Sequence, residues 1–375
     1  MKNWKLTAVG LVLFAGAGSQ SRAQTTLATV PVGGTGSAIS FNTVTNKIYA
    51  VGGMGNVLTE IDAATFQSVQ IPLQATNDIA TAQVVVNPVT NKIFVTNVVS
   101  NNIAIVDGAT HSVSFVATAL HPVAIGINLV TNKLYVADAD ADMVTVYDAT
   151  ANTVTNLKSG KSPVAVGVNW LTNQIYVANS GSNTVTVIDG ATNKTTSVKV
   201  GQYPVEVAVD VTRNRVWVAD LQSNDVTAIN GWNNSTQSYG VGTDPAHIAV
   251  NTATNKVYVA YQIPGSMSAL DGDSGAVTTF AAGSFENDIA VDEWRNRIYV
   301  ADPTSNQLVI IDGATNAVTT VGGGGTYLWR LAVNPLTNQI FAVNLISQDA
   351  TVFSGPVAGL PVLLLELVQP KSASN

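Results

Sequence analysis

Between residue 25 and about residue 355, short apolar runs alternate with polar turn clusters. Residues 163–200 show the unit. Residues 163–169, 174–179, 184–188 and 194–200 have the length and Val/Ile/Thr/Tyr content of strands, and the third alternates Thr with Val as a half-buried strand should. Asn173 closes the first turn, where a left-handed backbone is expected, and Asp189-Gly190 is assigned the same work in the third. The pattern predicts a four-stranded antiparallel sheet with strands A to D.

That unit recurs. The motif Asn-x-x-Thr-Asn-[Lys/Gln] followed by an apolar–aromatic–apolar run appears as NPVTNKIFVTN at 87–97 and NWLTNQIYVAN at 169–179. Its second Asn falls at Asn46, Asn91, Asn132, Asn173, Asn214, Asn255, Asn296 and Asn338, at intervals of 41 to 45 residues. Sixteen residues after each comes a second turn, at Asp62, Asp107, Asp148, Asp189, Asn230, Asp271, Asp312 and Ser354. Four strands repeating at this period are the signature of a propeller blade. The prediction is an all-β, eight-bladed β-propeller over residues 24–356, with a 19-residue tail at 357–375. The eighth copy supplies only strands A to C, while residues 25–32 (TTLATVPV) match the D strands, so closure by an N-terminal strand is expected. The rival for that edge is the apolar run at 360–368.

The segments TNKLYV at 131–136, FVTN at 94–97 and YVAN at 176–179 resemble the YVTN-repeat β-propeller family. The resemblance implies the propeller fold and a binding role outside the cytoplasm. Blades 5 and 7 depart from the pattern with TRNR at 212–215 and WRNR at 294–297, but keep the turn Asn.

Length changes between copies fall in the D–A connections, around residues 74–80 and 322–325. The face carrying the D–A and B–C loops is therefore expected to bear function. Strand A should line the channel. Two residues before its terminal Asn or Asp, seven of eight copies hold a small side chain, attributed to convergence on the axis. Two residues further back, on the same face by the two-residue strand period, stand Ala38, Gln83, Ala124, Ala165, Glu206, His247, Asp288 and Arg330. Blades 5 to 8 thus present four consecutive ionisable groups, with Tyr203 and Trp329 in the adjoining loops. The expected ligand is anionic or zwitterionic, with its negative group towards Arg330.

Composition narrows the chemistry. The chain has no Cys and three His, which removes disulfides, thiolate zinc sites and covalent haem. Residues 1–23 have the form of a secretory signal, with Lys2 and Lys5 before a short apolar stretch and Ser21-Arg22-Ala23 as the cleavage site. Export to the periplasm or the extracellular space is expected, without a membrane span. Removing that segment takes the formal charge from −7 to −10, which argues against nucleic acid. No cofactor motif is present. Asp138, Asp140 and Asp142 resemble the start of a calcium loop, but Met143 and Ala149 occupy the Gly and Glu positions of an EF-hand. The leading expectation is a monomeric, non-enzymatic module that binds a small molecule or a protein or cell-surface partner. The alternative is a hydrolase or lyase using acid–base residues at the channel mouth.

Overall fold

A computed structural model describes residues 25–53, 56–73, 81–262, 265–284 and 287–355. The signal segment, the 357–375 tail, the 360–368 run and the 74–80 loop lie outside the described residues. Among the described residues, thirty-two strands form eight separate four-stranded sheets. Seven blades run A-B-C-D in chain order. The eighth takes Leu328–Asn334, Gln339–Asn344 and Asp349–Ser354 as A, B and C, and Thr26–Pro31 as D. Thr29 pairs with Thr351 and Pro31 with Asp349, so the N-terminal strand closes the ring as expected.

Strand B is the buried layer. In Lys133–Asp138, Gln174–Asn179 and Arg215–Asp220 every residue after the first is inaccessible. One B position holds Tyr49, Phe94, Tyr135, Tyr176, Trp217, Tyr258, Tyr299 and Phe341, all fully buried. They join blades: Tyr135 packs with Ile175 and Val177 of blade 4, and Trp217 with Val257 and Val259 of blade 6. Burying each such ring is worth about 2–3 kcal/mol.

All eight motif Asn residues have positive φ, from 48° to 57°. In the C–D turn the left-handed residue is Asn193 rather than Gly190. Asp189 instead accepts from the Ala191 and Thr192 N–H groups, both at 2.9 Å. Gly190 is small for another reason, since the Asn173 amide occupies the place of its Cβ.

A belt of side-chain amides links the blades. Asn42 donates to Asn91 of the next blade (3.0 Å), Asn87 to Asn132, Asn128 to Asn173 and Asn169 to Asn214 (each 2.8 Å), and Asn251 to Asn296 (2.9 Å). Asn334 closes the circle onto Asn46 at 2.9 Å. The two remaining joints explain the TRNR and WRNR departures. There Asp210 and Asp292 replace the donor Asn, and a carboxylate has no N–H to give. Arg213 pairs with Asp210 and donates to the Thr252 carbonyl of blade 6, and Arg295 pairs with Asp292 and donates to the Pro335 carbonyl of blade 8.

Candidate functional site

Each strand A starts at the face bearing the D–A loops. In six blades a register shift precedes the predicted arc position, for example between Pro204 and Glu206 and between Pro245 and His247, and in blade 2 it spans Gln83. Such a bulge re-aims the side chain that follows it. The face carrying the arc turns toward the next blade, not straight at the axis. A Cβ on Gly126 would lie 2.8 Å from Val166 and 2.9 Å from Val168 of the following blade. The small residues are therefore demanded by the next blade's Val pair, which corrects the reason given from convergence on the axis.

Glu206, His247, Asp288 and Arg330 line one cavity of about 520 Å³ at this mouth. His247 Nδ1 lies 3.1 Å from Glu206 Oε2, and Arg330 Nη1 lies 3.5 Å from Asp288 Oδ1. Both carboxylates also accept a main-chain N–H of the next blade, Ile248 to Glu206 at 3.1 Å and Leu331 to Asp288 at 2.7 Å. Burial pushes the Asp288 carboxyl up from its ordinary value; the charges of Arg330 and His247 pull it back, and Glu206 adds to the rise. The opposite wall is mostly apolar, built by Ala38, Val84, Val85, Ile125, Ala165 and Val166, with Gln83 as its polar member.

Trp329 supports this arc without lining the cavity. Its ring carries the Arg330 guanidinium at 5.7 Å and stacks on Tyr327 at 5.8 Å, and its carbonyl accepts from Asn287 Nδ2 at 2.8 Å. Tyr203 stands apart. It is 40 % exposed in a D–A loop, where its N–H donates to Asn183 Oδ1 at 3.0 Å.

The three aspartates of the calcium motif take separate partners. Asp138 is buried and accepts from the Thr145 N–H (3.0 Å) and hydroxyl (2.6 Å). Asp140 is exposed beside His121 Nδ1 at 2.9 Å, and Asp142 accepts from the Ser162 N–H at 2.8 Å. Among the described residues, no group of three or more His, Asp or Glu side chains is placed to hold a metal ion. His111 is tied to a buried carboxylate. Its Nε2 lies 3.3 Å from the buried Glu60, which also accepts from Lys47 and from the Tyr49 hydroxyl (3.0 Å).

The sequence reading missed an apolar ring on the opposite face. Val44, Val89, Val130, Leu171, Trp294 and Leu336 are exposed at the tips of their A–B turns, each two residues before the motif Asn. Trp170 and Trp232 are exposed on the same face. The repeat carried this signal at a fixed offset.

Comparison with known proteins supports the architecture. No family model matches the chain, and no curated protein matches its sequence. Among solved structures, Sqt1 of Saccharomyces cerevisiae superposes with a TM-score of 0.76 at 10% identity, over 88% of this chain and 99% of that one. The hydrazine synthase of Kuenenia stuttgartiensis gives a TM-score of 0.61 at 16% identity, over 74% of this chain and 96% of that one. At these identities the likeness is one of fold. The chain is an eight-bladed β-propeller.

Proposed function

We propose that this protein is an exported propeller of the YVTN-repeat kind whose function is binding, with a small ligand held at the D–A mouth of its channel. The observation that carries the reading is the two-sided cavity, with four consecutive ionisable side chains on one wall and apolar strand A residues on the other. A concave site with a few convergent polar groups is the usual form of a ligand pocket. The hydrolase or lyase alternative rests on the Glu206–His247 pair. It is disfavoured because Glu206 and Asp288 each spend an oxygen on a main-chain N–H of the next blade, the work of a cap rather than of a base free to take a proton. The test is native mass spectrometry of the intact, gently purified protein, alongside a variant with Glu206, His247, Asp288 and Arg330 changed to Ala, Gln, Asn and Gln. A bound mass present in the parent and missing from the folded variant supports the reading. A bound mass unaffected by the four changes removes it.

A second reading has its own observation. The ring of exposed Val, Leu and Trp at the A–B turns is a surface for a protein partner. Charged substitutions at Leu171 and Trp294 would separate that surface from the channel.

A further inference from the structure

Strand A is the inner edge of every blade, so alternate N–H groups along it have no strand partner and face the channel. The structure shows what meets three of them. The Ile125 N–H donates to Gln83 Oε1 at 2.9 Å, the Ile248 N–H to Glu206 Oε2 at 3.1 Å, and the Leu331 N–H to Asp288 Oδ2 at 2.7 Å. In every case the acceptor is the arc residue of the preceding blade. The arc is thus first a set of caps for a sheet edge.

At blades 2, 4 and 5 the preceding arc residue is Ala and offers no acceptor, and blade 1 differs again. Its equivalent N–H belongs to Ile39, which pairs with Ala50 in the register by which Ile125 pairs with Val136 and Leu331 with Ala342. The preceding blade is blade 8, and the residue it offers is Arg330. A guanidinium has five N–H donors and no acceptor, so it cannot cap an N–H. Two donors, one of them cationic, therefore meet at this seam, where the Gln83, Glu206 and Asp288 seams set a donor against an acceptor. The guanidinium is held from behind by the Asn287 carbonyl (3.1 Å), by Asp288 and by the Trp329 ring. Ile39 and Arg330 both line the cavity, and Ala38, Val84 and Val85 continue its wall away from them.

We infer that the seam between blades 8 and 1 is an anion hole that takes the carboxylate of an aliphatic monocarboxylic acid, one oxygen on Arg330 and one on the Ile39 N–H. Resting on the channel-binding reading, this inference names its ligand class. The aliphatic body lies on the apolar wall of blades 1 to 4. A dianion such as phosphate is disfavoured, because Glu206 and Asp288 share the cavity and repel two charges more than one.

The experiment uses the full chain labelled with 15N-isoleucine. Ile39, Ile125, Ile248 and Ile289 are then equivalent reporters on four strand A edges, with the Ile39 signal assigned through Ile39→Val. Hexanoate, hexanol and hexylamine serve as probes of one length and three charges. The expected result is a saturable downfield movement of the Ile39 amide with hexanoate, absent with the other two. Arg330→Gln, which supplies the acceptor that Gln83 supplies to Ile125, should weaken hexanoate at least tenfold. The amide dispersion of that variant reports its folding. If channel isoleucines move equally with hexanol or hexylamine, or hexanoate binds Arg330→Gln as well as the parent, the anion hole is overturned while channel binding stands. If none of the three probes moves any channel isoleucine, both are overturned.

Discussion

The two ends of strand A obey different rules. At the end near the A–B turn, the same residue does the same work in six blades: a buried Asn caps its own turn and reaches the next blade's Asn. At the end near the D–A loop, eight blades offer Ala, Gln, Ala, Ala, Glu, His, Asp and Arg. Both ends belong to one strand paired with strand B, so secondary structure alone does not account for the difference. Repetition within the chain marks contacts that every blade must make to its neighbour. Its loss at strand positions that line a cavity marks a place where blades differ for a reason beyond their common frame. Glu206 and Asp288 do both jobs, since each caps a neighbour's edge and lines the cavity.

The largest expected effect removes the frame on which both ends depend. Deleting residues 24–32 takes away the D strand of blade 8, which pairs along Ala350 to Phe353. The covered strand C becomes an open edge, and Val30 and Val32 leave the cluster that joins blades 8 and 1. The melting temperature should fall by about 10 °C or more, read by calorimetry. An unchanged transition would show that another segment closes the ring.

The next test breaks the belt alone. Asn169 is fully buried, so Asn169→Asp places a carboxylate opposite Asn214 with no cation near it. The expected loss is about 3 kcal/mol, against about 1–2 kcal/mol for Asn169→Ala. Adding Thr172→Arg to Asn169→Asp reproduces the Asp210–Arg213 arrangement of blade 5 and should recover about half of the loss. Additive effects in urea unfolding would mean that the Asp–Arg joints are not equivalent to the Asn–Asn joints.

These results show what the sequence could and could not carry. Blade number, strand order and the closing strand were legible because the two-point register at Asn46 to Asn338 repeats and because residues 25–32 fill the one missing strand. The arc was legible because equivalent positions in a ring lie at one height. What the arc residues touch was not, since it depends on the bulge before strand A and on where the next blade's N–H groups point. The turn at Asn193 was misplaced for a similar reason, because the small size of Gly190 serves a contact with Asn173 from another turn. The departures TRNR and WRNR take their meaning from Arg213 and Arg295, which bond across the blade joints to carbonyls distant in sequence.

A third test concerns the buried end of strand B. Asn97, Asn179 and Asn344 occupy it in three blades, but Asp138, Asp220 and Asp302 in three others. Burial raises the Asp220 carboxyl to about 7, against the pull of the Thr227 hydroxyl, and raises Asp138 to about 6. The sign follows from proton linkage. Between about pH 4 and pH 7 the folded chain holds a proton on Asp220 that the unfolded chain has lost, so stability from this group falls as pH rises through that window. At the acid side the turn carboxylates Asp62, Asp189 and Asp271, held below their ordinary values by turn N–H groups, lose their bonds on protonation. Asp220→Asn should therefore stabilise by about 2 kcal/mol at pH 8, have little effect at pH 4, and flatten the slope between them. An equal gain at both pH values would mean that repacking, and not the charge, is responsible.

The smallest effect belongs to the arc, and its smallness is the point. Arg330 keeps about a third of its side-chain exposure, and its contacts are one carbonyl, one carboxylate and one ring face. Arg330→Ala frees Asp288 of its cation, but Asp288 retains the Leu331 N–H and the nearby His247. Partly exposed ion pairs contribute about 0–1 kcal/mol, so the loss of stability should stay below about 1 kcal/mol. A binding residue and a belt residue on comparable strands would then differ in opposite senses, Arg330→Ala removing affinity at little cost in stability and Asn169→Ala the reverse. Urea titrations of both variants, beside hexanoate titrations of both, test the contrast directly. If Arg330→Ala destabilises as much as Asn169→Ala, the arc belongs to the frame, and the difference between the two ends of strand A is only one of which side chain each seam uses to hold its neighbour.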